Sequence, residues 1–128
     1  MNGPRWSDYL YIAATIGLTV YGQMVLKWRM DQAGPLPAGW IGGLRHLLVM
    51  LLDPFVLSTF AAAFLASLAW MAAMTRFPLS VAYPFMSLNF AIVLFLGVTM
   101  LGESLTLQKA AGVALIVLGT ALVSADKT

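Results

Sequence analysis

The chain has 128 residues, of which 61% are hydrophobic and only 9% are charged, whereas a soluble domain usually carries about a quarter charged residues. A surface this poor in charge indicates that most of it faces lipid. The net charge of +2, with no Lys/Arg cluster, excludes nucleic acid as a partner, and one histidine, five acidic residues and no cysteine argue against a metal site or cofactor.

Four apolar segments are long enough to cross a bilayer, because roughly 20 helical residues span its hydrocarbon core. They cover residues 9–27, 54–75, 79–101 and 106–124. The first ends in LKWRM rather than in a small-residue cleavage site, so we expect it to be retained and not removed as a signal peptide. The expected fold class is an all-α membrane protein, a single transmembrane domain of four helices in an up-down bundle.

The connection between the first two spans contains a short apolar segment of its own, residues 40–52. It carries Arg45 near its middle and is too short to span a bilayer. We expect an interfacial helix with Trp40 at headgroup depth. Asp53 and Pro54 then predict the N-cap and the first-turn proline of the second span.

Basic residues near the span ends are almost evenly divided between the two sides of the membrane. Three lie on the side of the chain termini and four on the other: Arg5, Arg76 and Lys127 against Lys27, Arg29, Arg45 and Lys109. The positive-inside rule therefore does not decide the orientation. The balance suits a protein that inserts both ways and pairs antiparallel, or a fixed topology steered by a partner.

Polar residues form a stripe along the first span, where Thr15, Thr19, Gln23 and Lys27 are each four residues apart. In one interpretation the threonines bond their own backbone and Lys27 extends to the headgroups. In the other, Gln23 and Lys27 bind a ligand, with the lysine well placed to hold a phosphate.

The third span also carries polar residues. Ser80, Tyr83 and Ser87 share one helical face, and Asn89 lies about half a turn away from them. Pro84 removes one backbone donor, frees a carbonyl near Ser80 and can distort the helix. Asn89 is then either an interhelical packing residue or a site residue that the kink brings round.

The fourth span contains a smooth ridge formed by Gly112, Ile116 and Gly119, which suits close packing against another helix. That helix belongs either to the same chain or to a second subunit. Glu103 precedes this span in a tight turn, where its charge complements the positive end of the helix dipole or contacts substrate.

Several motifs together resemble a known group of transporters. The motifs are AYPFMSLNF in the third span, the LGESLT turn, G-x-x-L-I-x-x-G in the fourth span and GQMVLK in the first. They resemble the drug/metabolite transporter superfamily in its four-helix, small-multidrug-resistance-like and EamA-like form, and most of all the flippase subunits for aminoarabinose-phosphoundecaprenol. The resemblance implies transport of a polyprenyl-phosphate-linked sugar across the bacterial inner membrane for lipid A modification.

The same resemblance implies a partner and a set of contacts. A homodimer or a heterodimer with a paralogous four-span subunit is expected, surrounded by membrane lipids, with no enzyme activity. Lys27 would hold the lipid phosphate, and the full set of substrate contacts would be Gln23, Lys27, Tyr83, Ser87, Asn89 and Glu103. The ridge of Gly112, Ile116 and Gly119 would be the dimer contact.

Two positions depart from the small multidrug exporters within that superfamily. Thr19 stands where those exporters have a membrane-embedded glutamate, and Met86 stands where they tend to have tryptophan. A cationic drug needs a buried carboxylate, and no span carries Asp or Glu away from its ends. This counts against export of a small solute or cationic drug, which stays the first alternative function. The second alternative is a partner subunit that does not itself transport.

Overall fold

The computed structural model of the protein describes residues 5–126, which contain six α-helices and no β-strand. A 3₁₀ turn, Trp6–Asp8, precedes the first helix. The helices are α1 (Tyr9–Ala33), α2 (Trp40–Met50), α3 (Pro54–Met74), α4 (Leu79–Met86), α5 (Leu88–Met100) and α6 (Leu107–Ala125). Lys127, one of the basic residues counted for the topology, lies outside the described residues.

Four helical stretches within this range are long and apolar enough to cross a membrane. They are Trp6–Ala33, Pro54–Met74, Leu79–Met100 and Leu107–Ala125. The predicted all-α, four-span fold class is confirmed. The third of these stretches comprises α4 and α5 and is called the bent span below.

The first helix is longer than its apolar part. It continues to Ala33, six residues beyond the predicted end of the span, because hydropathy marks only the part that suits lipid. The stop comes from Gly34, whose backbone is in the left-handed region at φ 85°, followed by Pro35. The charged last two turns of α1 therefore form a helical extension of the apolar segment.

The bent span is interrupted at Ser87, three residues after Pro84. The Pro84 carbonyl accepts the Ser87 N–H at 2.9 Å. This bond spans three residues rather than the four of an α-helix, so it tightens the turn. The Thr120 hydroxyl of α6 lies 2.9 Å from the same carbonyl and 2.9 Å from that of Ile116. The distortion predicted near Pro84 is present, and α6 is joined to the bent span at this point by the Thr120 hydroxyl.

Helix α1 is the central element of the bundle. It packs along α3 and also contacts α4 and α5, while α6 packs against α4 and α5. Its residues Ile12, Ile16 and Val20 are buried against Ala73 and Phe77. The small side chains of α3 let the two helices approach closely. Helices α1 and α3 therefore form the scaffold on which the bent span and α6 rest.

The α1–α3 scaffold is tied by ion pairs at both ends. At one end, Arg29 Nε donates to Asp53 Oδ2 at 2.6 Å, and Asp53 Oδ1 accepts the Phe55 N–H at 2.9 Å, as expected of an N-cap. At the other end, Asp8 Oδ1 lies 3.7 Å from Arg76 Nε. These charges lie at helix ends, where the bilayer permits them.

The ionised form of Asp53 is stabilised by its surroundings. Burial opposes ionisation, but the Phe55 N–H and the Arg29 guanidinium together hold the pKa of Asp53 below its ordinary value. A carboxyl whose pKa is lowered by folding contributes stability above its unfolded pKa. That contribution is lost as the pH falls through the lowered value.

The predicted helix between the first two spans is present as α2, which begins at Trp40 and ends at Met50 rather than at residue 52. Its apolar side chains are largely exposed within the chain, Trp40 to 79%. Its position at the membrane interface stays a prediction.

Replacing Asp53 by asparagine keeps a side chain that can cap α3 but removes the charge that pairs with Arg29. We expect Asp53→Asn to lower the unfolding temperature near neutral pH. Circular dichroism of the protein in detergent measures this temperature. The difference is expected to fade as the pH falls below the ordinary carboxyl range, since the wild-type carboxyl is then protonated.

The control for this experiment is Asp31→Asn, which breaks only the exposed pair between Asp31 and Lys27. Exposed pairs of this kind contribute little, so its unfolding temperature is expected to stay close to that of the wild type. Equal losses in the two variants would contradict a specific role for the Arg29–Asp53 pair.

Candidate functional site

A cavity of about 550 Å³ lies between α1, α3 and the bent span. The bent span contributes Tyr83, Ser87 and Asn89, α3 contributes Ser67 and Trp70, and α1 contributes Thr15. We call it the main cavity. Its lining residues come from the halves of α1, α3 and the bent span that lie toward the chain termini, so it belongs to that half of the molecule.

The bend brings together residues that a straight helix would separate. On a regular helix Asn89 lies about 200° from Ser87, yet both line the main cavity, because the helix is interrupted at Ser87. Three of the predicted contact residues, Tyr83, Ser87 and Asn89, therefore share one space. Their contact with substrate stays a prediction.

The Asn89 side chain has a buried oxygen, Oδ1, that forms no hydrogen bond with any described residue. This oxygen therefore makes no interhelical bond within the described chain, which was one of its two predicted roles. A buried amide oxygen without a donor costs free energy, so this position is less stable than one with a matched partner.

The main cavity is uncharged, and apolar side chains such as Met71, Met86 and Phe90 form much of its wall. No residue that lines it has an ionisable acidic or basic side chain other than the phenol of Tyr83. The rings of Trp70 and Tyr83 meet edge to face with their centroids 6.0 Å apart. Flat apolar rings beside hydroxyl and amide groups are a lining that suits a sugar.

Gln23 lies in a second, smaller cavity of about 250 Å³, also lined by Thr19 of α1 and by Thr59 and Phe60 of α3. The two cavities follow one another along the same pair of helices. Thr15 lines the main cavity and bonds the Tyr11 carbonyl at 2.7 Å, so its predicted bond to its own backbone is present. The polar stripe of α1 therefore passes both cavities.

Lys27 lies apart from the main cavity. It is 12 residues beyond Thr15 on α1, which is about 18 Å along the helix axis. Its Nζ lies 2.9 Å from Asp31 Oδ1, and about half of each side chain is exposed. Within this chain Lys27 is therefore separated from Tyr83, Ser87 and Asn89, and its contact with a lipid phosphate stays a prediction.

Glu103 is also apart from the main cavity. Its backbone N–H donates to the Gly97 carbonyl at 3.0 Å, and its side chain covers Gly97 so closely that a Cβ there would lie 2.6 Å from Oε1. The N-cap of α6 is Thr106, whose hydroxyl accepts the Lys109 N–H at 3.1 Å. Glu103 thus closes the turn between α5 and α6, while Thr106 caps the helix.

Residues 6–125, nearly the whole length of the chain, match one protein family. The chain belongs to the EamA-like transporter family. With four apolar helices of spanning length, this member of the family is a multi-pass membrane protein.

Curated relatives of this EamA-like chain share one printed name, probable 4-amino-4-deoxy-L-arabinose-phosphoundecaprenol flippase subunit ArnF. The protein from Aeromonas salmonicida is 35% identical over 94% of this chain and 80% of the relative. That from Pseudomonas paraeruginosa is 32% identical over 100% of this chain and 90% of the relative. No solved structure matches the chain.

The ridge on α6 of this EamA-like chain is open. A Cβ added at Gly112 or Gly119 would meet nothing within 4 Å among the described residues. Ile116 and Gly119 instead line a third cavity, of about 480 Å³, between α6 and α4. The glycines therefore do not pack closely against another described helix, and contact with a second subunit is the alternative that remains as a proposal.

Two lining residues of the main cavity, Ser67 and Trp70, were not predicted from the sequence. They are three residues apart and share one face of α3. A serine and a tryptophan at that spacing, in a segment otherwise rich in alanine, were the available signal. The face they share could be recognised as a site only once α3 was placed opposite the bent span.

Replacing Asn89 by leucine removes a buried oxygen that has no partner in the described chain. We expect Asn89→Leu to raise stability by about 1 kcal/mol, because the unmet desolvation cost disappears. The measurement is thermal or denaturant unfolding of the purified protein in detergent.

Thr99→Val, in the same helix, is the control, since the Thr99 hydroxyl bonds only backbone carbonyls of its own helix, at Phe95 and Leu96, and the site is exposed. Its stability is expected to change little. A clear loss of stability in Asn89→Leu would show that Oδ1 has a partner in the folded protein, and would contradict the free acceptor described above.

Proposed function

We propose that the protein is a subunit of a flippase that moves a polyprenyl-phosphate-linked sugar across the bacterial inner membrane. The observation that carries this proposal is the uncharged main cavity, whose wall combines the hydroxyl-bearing residues Ser67 and Ser87 and Asn89 with two aromatic rings. The curated relatives, named as flippase subunits for such a lipid, support the same substrate class.

A sugar head group suits the main cavity better than a cationic drug does. Acidic residues of the described chain, such as Asp8, Asp53 and Glu103, lie at helix ends and not in the cavity wall. A cation that has left water needs a counter-charge, and Thr19 stands where an exporter would carry its carboxylate. The hydroxyl groups of a sugar need only hydrogen-bond partners and ring faces, and the amine of an aminoarabinose lipid has the phosphate of the same molecule as its counter-charge.

The route follows the groove between α1 and α3. The head group enters near Lys27, which attracts the phosphate, and passes the small cavity at Thr19 and Gln23 before it reaches the main cavity. Lys27 and the main cavity act at different stages, because about 18 Å along α1 separates Lys27 from Thr15. The polyprenyl tail stays in the lipid throughout, so no covalent chemistry is involved.

The transporting unit is a dimer, formed with a second copy or with a paralogous four-span subunit. The described helices leave α6 packed along one side only, with Gly112 and Gly119 open. Small residues of this kind allow a neighbouring helix to approach closely in lipid. The word subunit in the names of the relatives supports an assembly.

Filling the main cavity tests the proposal directly. Ser67→Phe projects a ring into the cavity, and we expect it to reduce translocation of aminoarabinose-phosphoundecaprenol in proteoliposomes at least tenfold. The measurement is the fraction of lipid amines that reach a membrane-impermeant reagent outside the vesicles, with the protein reconstituted together with its partner subunit where one is required.

The matched control is Leu68→Phe, one residue along α3, at an exposed position that does not line the cavity. We expect it to translocate at the wild-type rate. Wild-type translocation by Ser67→Phe would refute the assignment of the main cavity. Proton movement driven by a cationic drug, in the absence of lipid transport, would instead favour the exporter.

The separation of Lys27 from the main cavity gives a second expectation. Lys27→Ala is expected to raise the lipid concentration needed for half-maximal translocation severalfold while leaving the maximal rate close to that of the wild type. The same assay at varied lipid concentration measures both quantities. A lost maximal rate at saturating lipid would instead place Lys27 in the translocation step.

A further inference from the structure

We infer that Thr120 of α6 is a positioning residue, whose hydroxyl holds the third span in its bent form and can release it again at low cost. The inference rests on the proposed function for its consequence in transport. It starts from burial, because Thr120 is the one buried residue of α6, a helix that the structure describes in full. With Thr120 only 6% exposed, the closest contact of α6 with the bundle lies at this position.

The Thr120 hydroxyl has two acceptors for a single proton. Its oxygen lies 2.9 Å from the Pro84 carbonyl oxygen, in the bent span, and 2.9 Å from that of Ile116, one turn back in α6. A hydroxyl carries one donor, so the two carbonyls compete for it. The bond to Pro84 joins two helices, whereas the bond to Ile116 stays within one.

Breaking the bond between Thr120 and Pro84 leaves both of its ends with a partner. When the bent span moves away from α6, the Thr120 hydroxyl still donates to the Ile116 carbonyl, a bond that threonines commonly form inside helices. The Pro84 carbonyl still accepts the Ser87 N–H at 2.9 Å. Because an unpartnered polar group in lipid is costly, a bond with a second partner at each end is one that can open and close reversibly.

The bend has room to move. Tyr83 and Ser87, on either side of Pro84 in the chain, line both the main cavity and the third cavity, the one beside α6. The two cavities therefore adjoin along the bend, and close-packed side chains do not fill the space into which this segment would move. Since Tyr83 and Ser87 move with the bend, the bond between Thr120 and Pro84 sets the shape of the main cavity.

The bend can be measured directly, because the chain contains no cysteine and accepts labels at two introduced ones. Leu79→Cys and Met100→Cys place spin labels at exposed positions at the two ends of the bent span. In a straight helix these positions would be about 32 Å apart, and a bend shortens the distance. Labelled protein is diluted with unlabelled protein in nanodiscs, with its partner subunit where one is required, so that pulsed electron paramagnetic resonance reports distances within one chain.

Two substitutions separate the hydroxyl from the shape of the side chain. Thr120→Val keeps the shape and removes the hydroxyl, and we expect it to raise the ratio of long to short distances about threefold to tenfold, as for one interhelical hydrogen bond in lipid. Thr120→Ser keeps the hydroxyl and is expected to keep the wild-type ratio. The control Ser124→Ala, whose hydroxyl bonds the Ala121 carbonyl within α6, is also expected to keep it.

The same variants connect the bend to transport. In the translocation assay with aminoarabinose-phosphoundecaprenol, we expect Thr120→Val to lower the maximal rate severalfold, because fewer molecules hold the main cavity in its bent shape. The lipid concentration needed for half-maximal translocation is expected to stay close to that of the wild type, since Lys27 is unchanged. Thr120→Ser is expected to restore the maximal rate.

Each result decides one part of the inference. A wild-type distance distribution in Thr120→Val would overturn it, and so would an equal change in Thr120→Ser, which would assign the effect to packing. A changed distance with an unchanged maximal rate would overturn the role in transport. If the wild type translocates no lipid, the proposed function fails, and the distances still decide whether the Thr120 hydroxyl holds the bend.

Discussion

The missing N–H of Pro84 is the constraint on which the functional part of this structure depends. Without that donor the Ser80 carbonyl loses its partner in the helical ladder. The helix is then interrupted at Ser87, where the Pro84 carbonyl accepts both the Ser87 N–H and the Thr120 hydroxyl. The first bond bends the third span, and the second attaches α6 to the bend. The main cavity lies beside this bend, with Tyr83, Ser87 and Asn89 in its wall.

Most polar side chains in the rest of the described chain meet the demand of lipid for a hydrogen-bond partner within the protein. Threonines along α1 and α3 donate to carbonyls of their own helices, and charges at the helix ends are paired, as between Arg29 and Asp53. Against this background two buried atoms of the described residues lack a partner, Asn89 Oδ1 in the bent span and His46 Nε2 in α2. Local cost of this kind is common where a protein keeps a group ready for a ligand.

The arrangement of charge separates this chain from an exporter of cations. The chain belongs to the EamA-like transporter family, and no acidic residue of the described chain lines its main cavity. The basic residues Lys27 and Arg29 lie near one end of α1, and the main cavity is uncharged. In the proposed function, an anionic lipid is attracted near Lys27, and its head group is recognised in the main cavity, in a different part of the chain.

By itself, the sequence determined the properties that the bilayer and the local backbone impose. The thickness of the hydrocarbon core makes four spans readable from hydropathy, the Asp53–Pro54 pair predicts its own helix start, and Pro84 predicts a distortion. Each depends on a few neighbouring residues, so no knowledge of the tertiary structure is needed.

The tertiary structure alone decided which polar residues meet. It joined Asn89 to Tyr83 across the bend and added Trp70 and Ser67 from α3, while it left Lys27 beside Asp31 and Glu103 over Gly97. A helical wheel assumes a straight axis and one helix at a time. The cavity depends instead on the angle of a bend and on how far two helices diverge, and both are set by packing between segments distant in the chain.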